Sequence, residues 1–371
     1  MPKAVKAYPA QWAAEAVGAQ GVQHRGRGST ANPANRFDAL RVEFDPVERM
    51  PDDDEPIAPT TKFYRDLTKT IISRNDSPDV GFETSVNPYR GCEHGCVYCF
   101  ARPSHEYLGF SAGLDFETKI MVKEDAPELL SAELSKRSWV PKVVAMSGVT
   151  DPYQPVERRL RITRRCLEVL ARFRNPVTII TKNRLVTRDI DVLSELAEHS
   201  AVSVNLSITS LDVNLQRILE PRTSSPRARL EAVEKLAAAG IPVGVLVAPI
   251  IPGITDHEVP KIVEACANAG AQFAGYVVLR LPWAVAPLFE RWLDEHFPDR
   301  KEKVLGRVRQ MRGGGDKVYD SRWGIRQTGV GVFAEQIRSM FEIGCRRGGI
   351  GPRPVLSTDA FARPTSQLQL F

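Results

Sequence analysis

The 371-residue chain lacks an apolar run long enough to cross a bilayer. Its longest uncharged apolar stretch, residues 241–254, falls short of the roughly 20 residues a membrane helix needs. That stretch is also broken by Pro242, Pro249 and Pro252. The chain begins Met-Pro-Lys with no apolar segment behind it, so no secretory signal and no membrane association are expected. Cysteine is scarce: there are six, and three of them stand within eight residues. That spacing argues against a scaffold knitted by disulfides and, without an export signal, for a reducing cytoplasm. Strong charge of one sign is missing as well, because the net charge is only +5. With 43% hydrophobic and 26% charged residues, the chain suits one large α/β domain with a tail at each end.

What is present is concentrated in Cys92-Glu-His-Gly-Cys96-Val-Tyr98-Cys99. Three thiolates on one loop can each hold one iron of a four-iron cluster, which leaves the fourth iron without a protein ligand. No fourth cysteine is near; the next are Cys166, in a helical pattern, then Cys266 and Cys345. An electron-transfer ferredoxin usually gives its cluster four cysteines, so an open iron points to chemistry rather than wiring. The alternative is a Cys3His zinc site with His94. Zinc sites usually join two separated knuckles, and a second knuckle is missing here.

The C-x3-C-x2-C spacing, with Tyr98 just before its last cysteine, resembles the radical S-adenosylmethionine (radical SAM) enzymes. The resemblance implies that Cys92, Cys96 and Cys99 ligate a [4Fe–4S] cluster whose open iron chelates SAM. One electron then splits the sulfonium to methionine and a 5′-deoxyadenosyl radical that abstracts hydrogen. It further implies a low-potential donor such as a flavodoxin or ferredoxin-like protein, and a place for Tyr98 near the adenine.

The periodicity supplies a scaffold. Residues 1–60 are rich in Ala, Gly, Pro and charge and read as a poorly structured, disordered tail. Within them the basic, turn-rich residues 26–37 read as a solvated linker, the other reading being a lid over the site. Strands are expected at 83–89, 143–148, 177–181, 202–207, 243–248 and 273–279. Helices are expected at 126–136, 157–173, 187–199 and 226–240, and one capped by Asp256 runs to Gly270. Alternating strands and helices imply a parallel sheet. The family resemblance selects a partial (β/α)6 TIM-like barrel over residues 83–282. A basic extension (283–355) and a flexible tail (356–371) follow.

Such barrels carry their sites at the C-terminal ends of the strands. The second strand ends Ser147-Gly-Val-Thr150-Asp151, where many radical SAM enzymes carry Gly-Gly-Glu for the SAM amino group. That match is missing, but Ser147, Thr150 and Asp151 still offer acceptors. Lys182 ends the third strand and suits a carboxylate; Ser207 ends the fourth. Ile251 and Gly253 match the family segment that packs on adenine. The run Thr-Asp-Pro-Tyr-Gln-Pro-x-Glu (150–157) resembles uncharacterised relatives of spore photoproduct lyase, which repairs a thymine dimer in DNA. That lyase uses a cysteine near this strand end, and residues 143–157 contain none. Tyr153 is the one residue there that offers a substitute hydrogen donor; its ordinary role is packing.

Residues 301–353 carry twelve Lys or Arg against five Asp or Glu, a local excess above that of the whole chain. Arg307, Arg309, Arg312, Lys317, Arg322, Arg326, Arg346 and Arg347, interleaved with Tyr319, Trp323 and Phe333, suit phosphate and base stacking, or else a solvated basic face. The terminal Gln367-Leu-Gln-Leu-Phe371 resembles the peptide by which bacterial repair proteins bind the DNA sliding clamp. The expected function is a cytoplasmic radical SAM enzyme, of lyase or transferase type, acting on nucleic acid in a repair-like reaction. A protein or small-molecule substrate is the alternative, and a zinc-dependent nucleic-acid-binding module is the alternative of another class.

Overall fold

The computed structural model describes residues 26–37 and 60–364. Its strands are β1 (Lys62–Arg65), β2 (Ile72–Arg74), β3 (Thr84–Val86), β4 (Tyr89–Arg90), β5 (Lys119–Val122), β6 (Val144–Met146), β7 (Val177–Thr181), β8 (Val202–Ser207), β9 (Val243–Ile250) and β10 (Phe273–Val278). Seven of them form one sheet in the order β10-β9-β8-β7-β6-β3-β2. Neighbours from β3 through β10 in that sheet run parallel, and β2 closes the edge antiparallel to β3. Helices connect the parallel strands, which is the expected partial barrel, left open between β10 and β2. Both faces of the sheet are covered: every residue of β8 is buried, although its sequence alternates Val-Ser-Val-Asn-Leu-Ser. Gly244 has a steric reason in this sheet: a Cβ there would stand 2.4 Å from the ring of Phe273 on the neighbouring strand.

The structure corrects several boundaries. The strand expected at 83–89 is two, β3 and β4, in different sheets; Pro88 between them cannot donate to a ladder. β4 pairs with β5, and β5 with β1, in a three-stranded sheet not foreseen from the pattern. The helix expected at 157–173 breaks at Arg161, whose φ is 53°. The buried Glu157 carboxylate accepts the amides of Thr163 (3.1 Å) and Arg164 (3.4 Å), so it caps the second segment, Ile162–Phe173. The helix expected from Thr187 begins as a 3₁₀ turn at Arg184 and becomes α-helical over Ile190–Glu198. Asp256 does not cap the next helix: that helix spans Val259–Asn268, and the Asp256 carboxylate pairs with Arg307 at 3.1 Å.

Residues 26–37, expected as a solvated linker, lie instead against the cysteine loop and the insertion that follows it. The Gly28 and Ser29 amides donate to the two carboxylate oxygens of Glu117 at 3.1 and 2.9 Å. Asn35 Nδ2 donates to the Glu106 and Phe110 carbonyls at 2.9 and 3.2 Å. A Cβ on Gly28 would fall 1.6 Å from the Gly95 carbonyl oxygen, so the strap rests directly on the loop. The buried Glu117, already paired with Arg102, draws the strap in because its remaining acceptor sites require donors.

After β10, helices Val285–His296 and Lys301–Met311 share an apolar core with Val97, Tyr98 and Ile251, beneath the cysteine loop. Helix Val332–Gly348 packs on Val259–Asn268, where a Cβ on Gly348 would come within 2.7 Å of Ala267 Cβ. The basic residues of this region are largely answered inside the chain. Arg307 pairs with Asp256, Arg309 with Glu302, Arg322 with Asp320, Arg326 with Asp79 and Arg347 with Glu264. Arg312 is buried and donates to the Leu279 carbonyl at 2.5 Å. No helix among the described residues is long and apolar enough to cross a membrane.

Candidate functional site at the strand ends

The loop from Gly91 to Cys99 follows β4 and lies at the C-terminal ends of the parallel strands. Positive φ at Gly91 (79°) and Gly95 (68°) lets it turn tightly enough to place three cysteines together. Its backbone is tied on several sides. The Cys92 amide donates to Phe116 O (2.9 Å), the Val97 amide to Leu219 O (3.1 Å), and the Arg222 amide to His94 O (3.2 Å). Arg102, fully buried, donates to Cys96 O (3.0 Å) and to the equally buried Glu117 (2.5 Å). Glu93 is buried too; its carboxylate accepts the Val156 amide at 2.8 Å and meets Arg222 at 3.2 Å.

Cys92 and Cys96 are buried and Cys99 is half-buried. Burial pushes all three thiols up, so each is protonated until a metal displaces its proton. Among the described residues no three His, Cys, Asp or Glu converge on a point where one ion would sit. A single zinc needs that convergence, whereas three thiolates on three separate irons do not. His94 is turned to other work. Its Nδ1 lies 3.3 Å from Asp151 and its Nε2 3.3 Å from Asn183 Nδ2. Cys166 and Cys266 sit in the main core. The donor set therefore fits a cluster with one open iron.

The segment after β6 laces onto this loop. Thr150 Oγ1 donates to Gly91 O (2.6 Å), and the Glu93 amide donates to Gln154 Oε1 (2.9 Å). Ser147 and Gly148 have φ of 155° and 139°, a strained conformation for Ser147 and one held where function is common. Asp151 accepts from Thr181 Oγ1 (2.7 Å) and from the Tyr153 and Lys182 amides (2.8 Å each). Burial alone would push its carboxyl up, but His94 and these donors hold it below the usual range. Tyr153 is fully buried, with its hydroxyl donating to Asp189 at 3.0 Å, a packing position away from any open surface.

Lys182 and Ser207 meet beneath Tyr98. The Lys182 ammonium donates to Ser207 Oγ (2.9 Å), Thr209 Oγ1 (3.1 Å) and Ala248 O (2.9 Å), and pairs with Glu220 at 2.9 Å. The Tyr98 hydroxyl donates to Glu220, whose other oxygen meets the buried Arg229. Burial would push the Glu220 carboxyl up; Arg229 and Lys182 hold it well below the usual range. Ile251 is fully buried in the apolar cluster that includes Cys96 and Tyr98. Gly253 (φ 86°) is not brought to this hub; it faces Val304 and Arg307.

Sequence reasoning missed the charged pairs that hold the site, Arg102–Glu117 and Glu220–Arg229. It also missed Arg280, two residues past β10. The Arg280 guanidinium stacks on Phe100, next to Cys99, at 4.3 Å. A signal was available for one pair: Arg229 falls on the apolar face of helix Pro226–Ala238 with Ala232, Val233 and Leu236, and a charge there requires a buried partner.

A family model of the radical SAM superfamily matches residues 86–266. An uncharacterised protein of Mycobacterium tuberculosis is 36% identical over 252 residues, 67% of this chain and 73% of its own. A protein of Pseudomonas phage M6 named radical SAM Nα-GlyT isomerase is 22% identical over 264 residues, 70% of this chain and 53% of its own. Among solved structures, spore photoproduct lyase complexed with dinucleoside spore photoproduct superposes with a TM-score of 0.56 at 18% identity, covering 77% of this chain and 79% of that one.

Proposed function

The chain belongs to the radical SAM superfamily, and on that premise we propose that it acts on a nucleic acid, with Cys92, Cys96 and Cys99 holding the cluster. The superfamily uses a [4Fe–4S] cluster and SAM, and its enzymes need a reductant; a flavodoxin or ferredoxin-like protein is the proposed donor. When bound, these groups supply one-electron cleavage of the sulfonium and a carbon radical that abstracts hydrogen.

The chain's own residues do the rest. The buried pair Arg102–Glu117 on one flank and the half-buried pair Arg222–Glu93 on the other fix the loop so that all three sulfurs present from one rigid turn. Tyr98 is oriented by Glu220, and its ring packs beside the cysteines in an apolar surround that excludes water. Ser147, Thr150 and Asp151 are proposed to meet the SAM amino group. Lys182 and Ser207, with Glu220 already beside them, act by positioning: they hold the β7 and β8 ends under Tyr98. Ile251 is proposed as part of the apolar wall on the adenine side, with Gly253 in the turn that follows it, facing Val304 and Arg307.

The observation that carries the enzyme reading is a rigidly held three-cysteine loop inside the span that matches the radical SAM family. A nucleic-acid substrate and a repair-like reaction are supported by the likeness in fold to a lyase complexed with a dinucleoside photoproduct. A cytoplasmic setting is proposed, on the clustered free cysteines of the loop. The peptide Gln367–Phe371 lies outside the described residues; we propose it as a sliding-clamp contact, tested by a pull-down with and without it.

The test is turnover. The anaerobically reconstituted chain is expected to release 5′-deoxyadenosine with SAM and reductant. It is also expected to transfer substrate hydrogen into that product when DNA or RNA is supplied. Transfer seen only with protein or metabolite pools would refute the nucleic-acid reading. Bound zinc with no SAM cleavage would refute the enzyme.

A further inference from the structure

Resting on the nucleic-acid reading, we infer that Phe37, Tyr107, Trp283 and Phe100, with Arg36 and Arg280, form a stacking platform for unpaired bases. The substrate would then enter as a single strand, or with its target base out of the stack.

All four rings are exposed: Phe37 by 54%, Tyr107 by 72%, Trp283 by 58% and Phe100 by 50%. They are not scattered. Phe37 and Tyr107 have centroids 4.9 Å apart. Arg36 lies 4.8 Å from the Phe37 ring, 5.6 Å from Tyr107 and 4.3 Å from Trp283, so one guanidinium joins three rings. Glu106 holds that guanidinium in place at 2.7 Å. Arg280, three residues before Trp283, stacks on Phe100 beside Cys99 and so extends the surface to the cysteine loop. Exposed aromatics joined through one guanidinium in this way mark a binding surface.

Two further observations choose the occupant. Trp283 has φ 45°, a left-handed conformation that a bulky side chain adopts only when its surroundings impose it. Its ring meets Arg36 and Tyr319 (centroids 5.9 Å) and is otherwise more than half exposed. Arg280 has neither a carboxylate partner nor a hydrogen-bond acceptor among the described residues, and its Nε is buried without one. A half-buried cation with no ion-pair partner among the described residues, stacked on the exposed Phe100 ring, matches a phosphate beside a base. A closed duplex shows its phosphates but hides its base faces, so the rings select unpaired nucleotides.

The experiment is fluorescence anisotropy on the full reconstituted chain, using a labelled single strand of about a dozen nucleotides, within the range of strand-binding folds, and the matching duplex. The single strand is expected to bind more tightly than the duplex. Trp283→Gly should lower single-strand affinity about 5- to 100-fold without lowering the melting temperature, because glycine accepts the backbone conformation. Trp283→Phe should keep most of the affinity. Arg280→Ala should reduce the slope of log affinity against log salt by about 0.7, one phosphate's share on a single strand. Single-strand binding unchanged in Trp283→Gly overturns the platform and leaves the nucleic-acid reading standing. Failure of the unaltered chain to bind any oligonucleotide overturns both. If Arg280→Ala weakens SAM binding and not the strand, the phosphate assignment is overturned.

Discussion

Replacing Glu117 by glutamine should unseat the cysteine loop without unfolding the barrel. Glu117 is fully buried, and its two oxygens receive Arg102 Nη2 (2.5 Å), the Ser29 amide (2.9 Å) and the Gly28 amide (3.1 Å). Glutamine keeps the shape but removes the charge and turns an NH2 toward groups that are all donors. Arg102 is then a buried cation without a counter-ion, a loss of about 3–5 kcal/mol for a pair broken on one side. Domains of this kind are stable by about 5–15 kcal/mol, so the sheet survives while the segment with fewest other ties opens. That segment is residues 26–37 together with the loop beneath them. A cost of about 3–4 kcal/mol makes opening roughly 10²- to 10³-fold more frequent. Two measurements report it: iron bound per chain after anaerobic reconstitution, and the rate of tryptic cleavage at Arg27 and Arg36. Iron should fall, cleavage should accelerate by that factor, and far-ultraviolet circular dichroism should stay unchanged. Unaltered iron content and cleavage in a well-folded Glu117→Gln chain would refute the reasoning.

Three further outcomes are expected. Gly28→Ala should free the strap from the other side, since its Cβ would meet Gly95 O at 1.6 Å; unchanged tryptic cleavage would count against that contact. Cys96→Ala should abolish SAM cleavage and lower bound iron while the circular dichroism spectrum is kept, whereas retained turnover would sink the ligand assignment. His105 is buried, donating from Nε2 to Lys119 O (2.9 Å) with Nδ1 unpartnered, and burial pulls its pKa down to about 4. The unfolded chain therefore takes up the proton first. This stability is fully present above pH ~6.5 and is lost by about 3 kcal/mol as pH falls toward 4. His105→Gln should flatten the melting temperature between those limits, and a slope equal to that of the unaltered chain would exclude His105 as its source.

How far the sequence could be read depended on the range of the interactions. β7 and β8 were legible to the residue, β7 because it is an unbroken β-branched run and β8 because its apolar residues alternate with polar ones at the strand period. The cysteine loop was legible because its spacing is local. The strap was not, since its tie is two backbone amides to a carboxylate 88 and 89 residues away, and amides carry no sequence signature. Charge counting over 301–353 misjudged individual arginines for a related reason. Composition does not reveal that Arg326 is answered by Asp79, 247 residues earlier. The hub under Tyr98 was half visible: Lys182 and Ser207 end strands, but Glu220 and Arg229 both lie in the crossover from β8 to β9.

The strap's position has a consequence for handling the protein. A chain trimmed to the span matched by the family, 86–266, would discard Gly28, Ser29 and the helices that underlie Tyr98. Such a fragment would expose the sulfurs to air on one side and soften their support on the other, and pale, iron-poor preparations would follow from the trimming rather than from any fault in the cysteines.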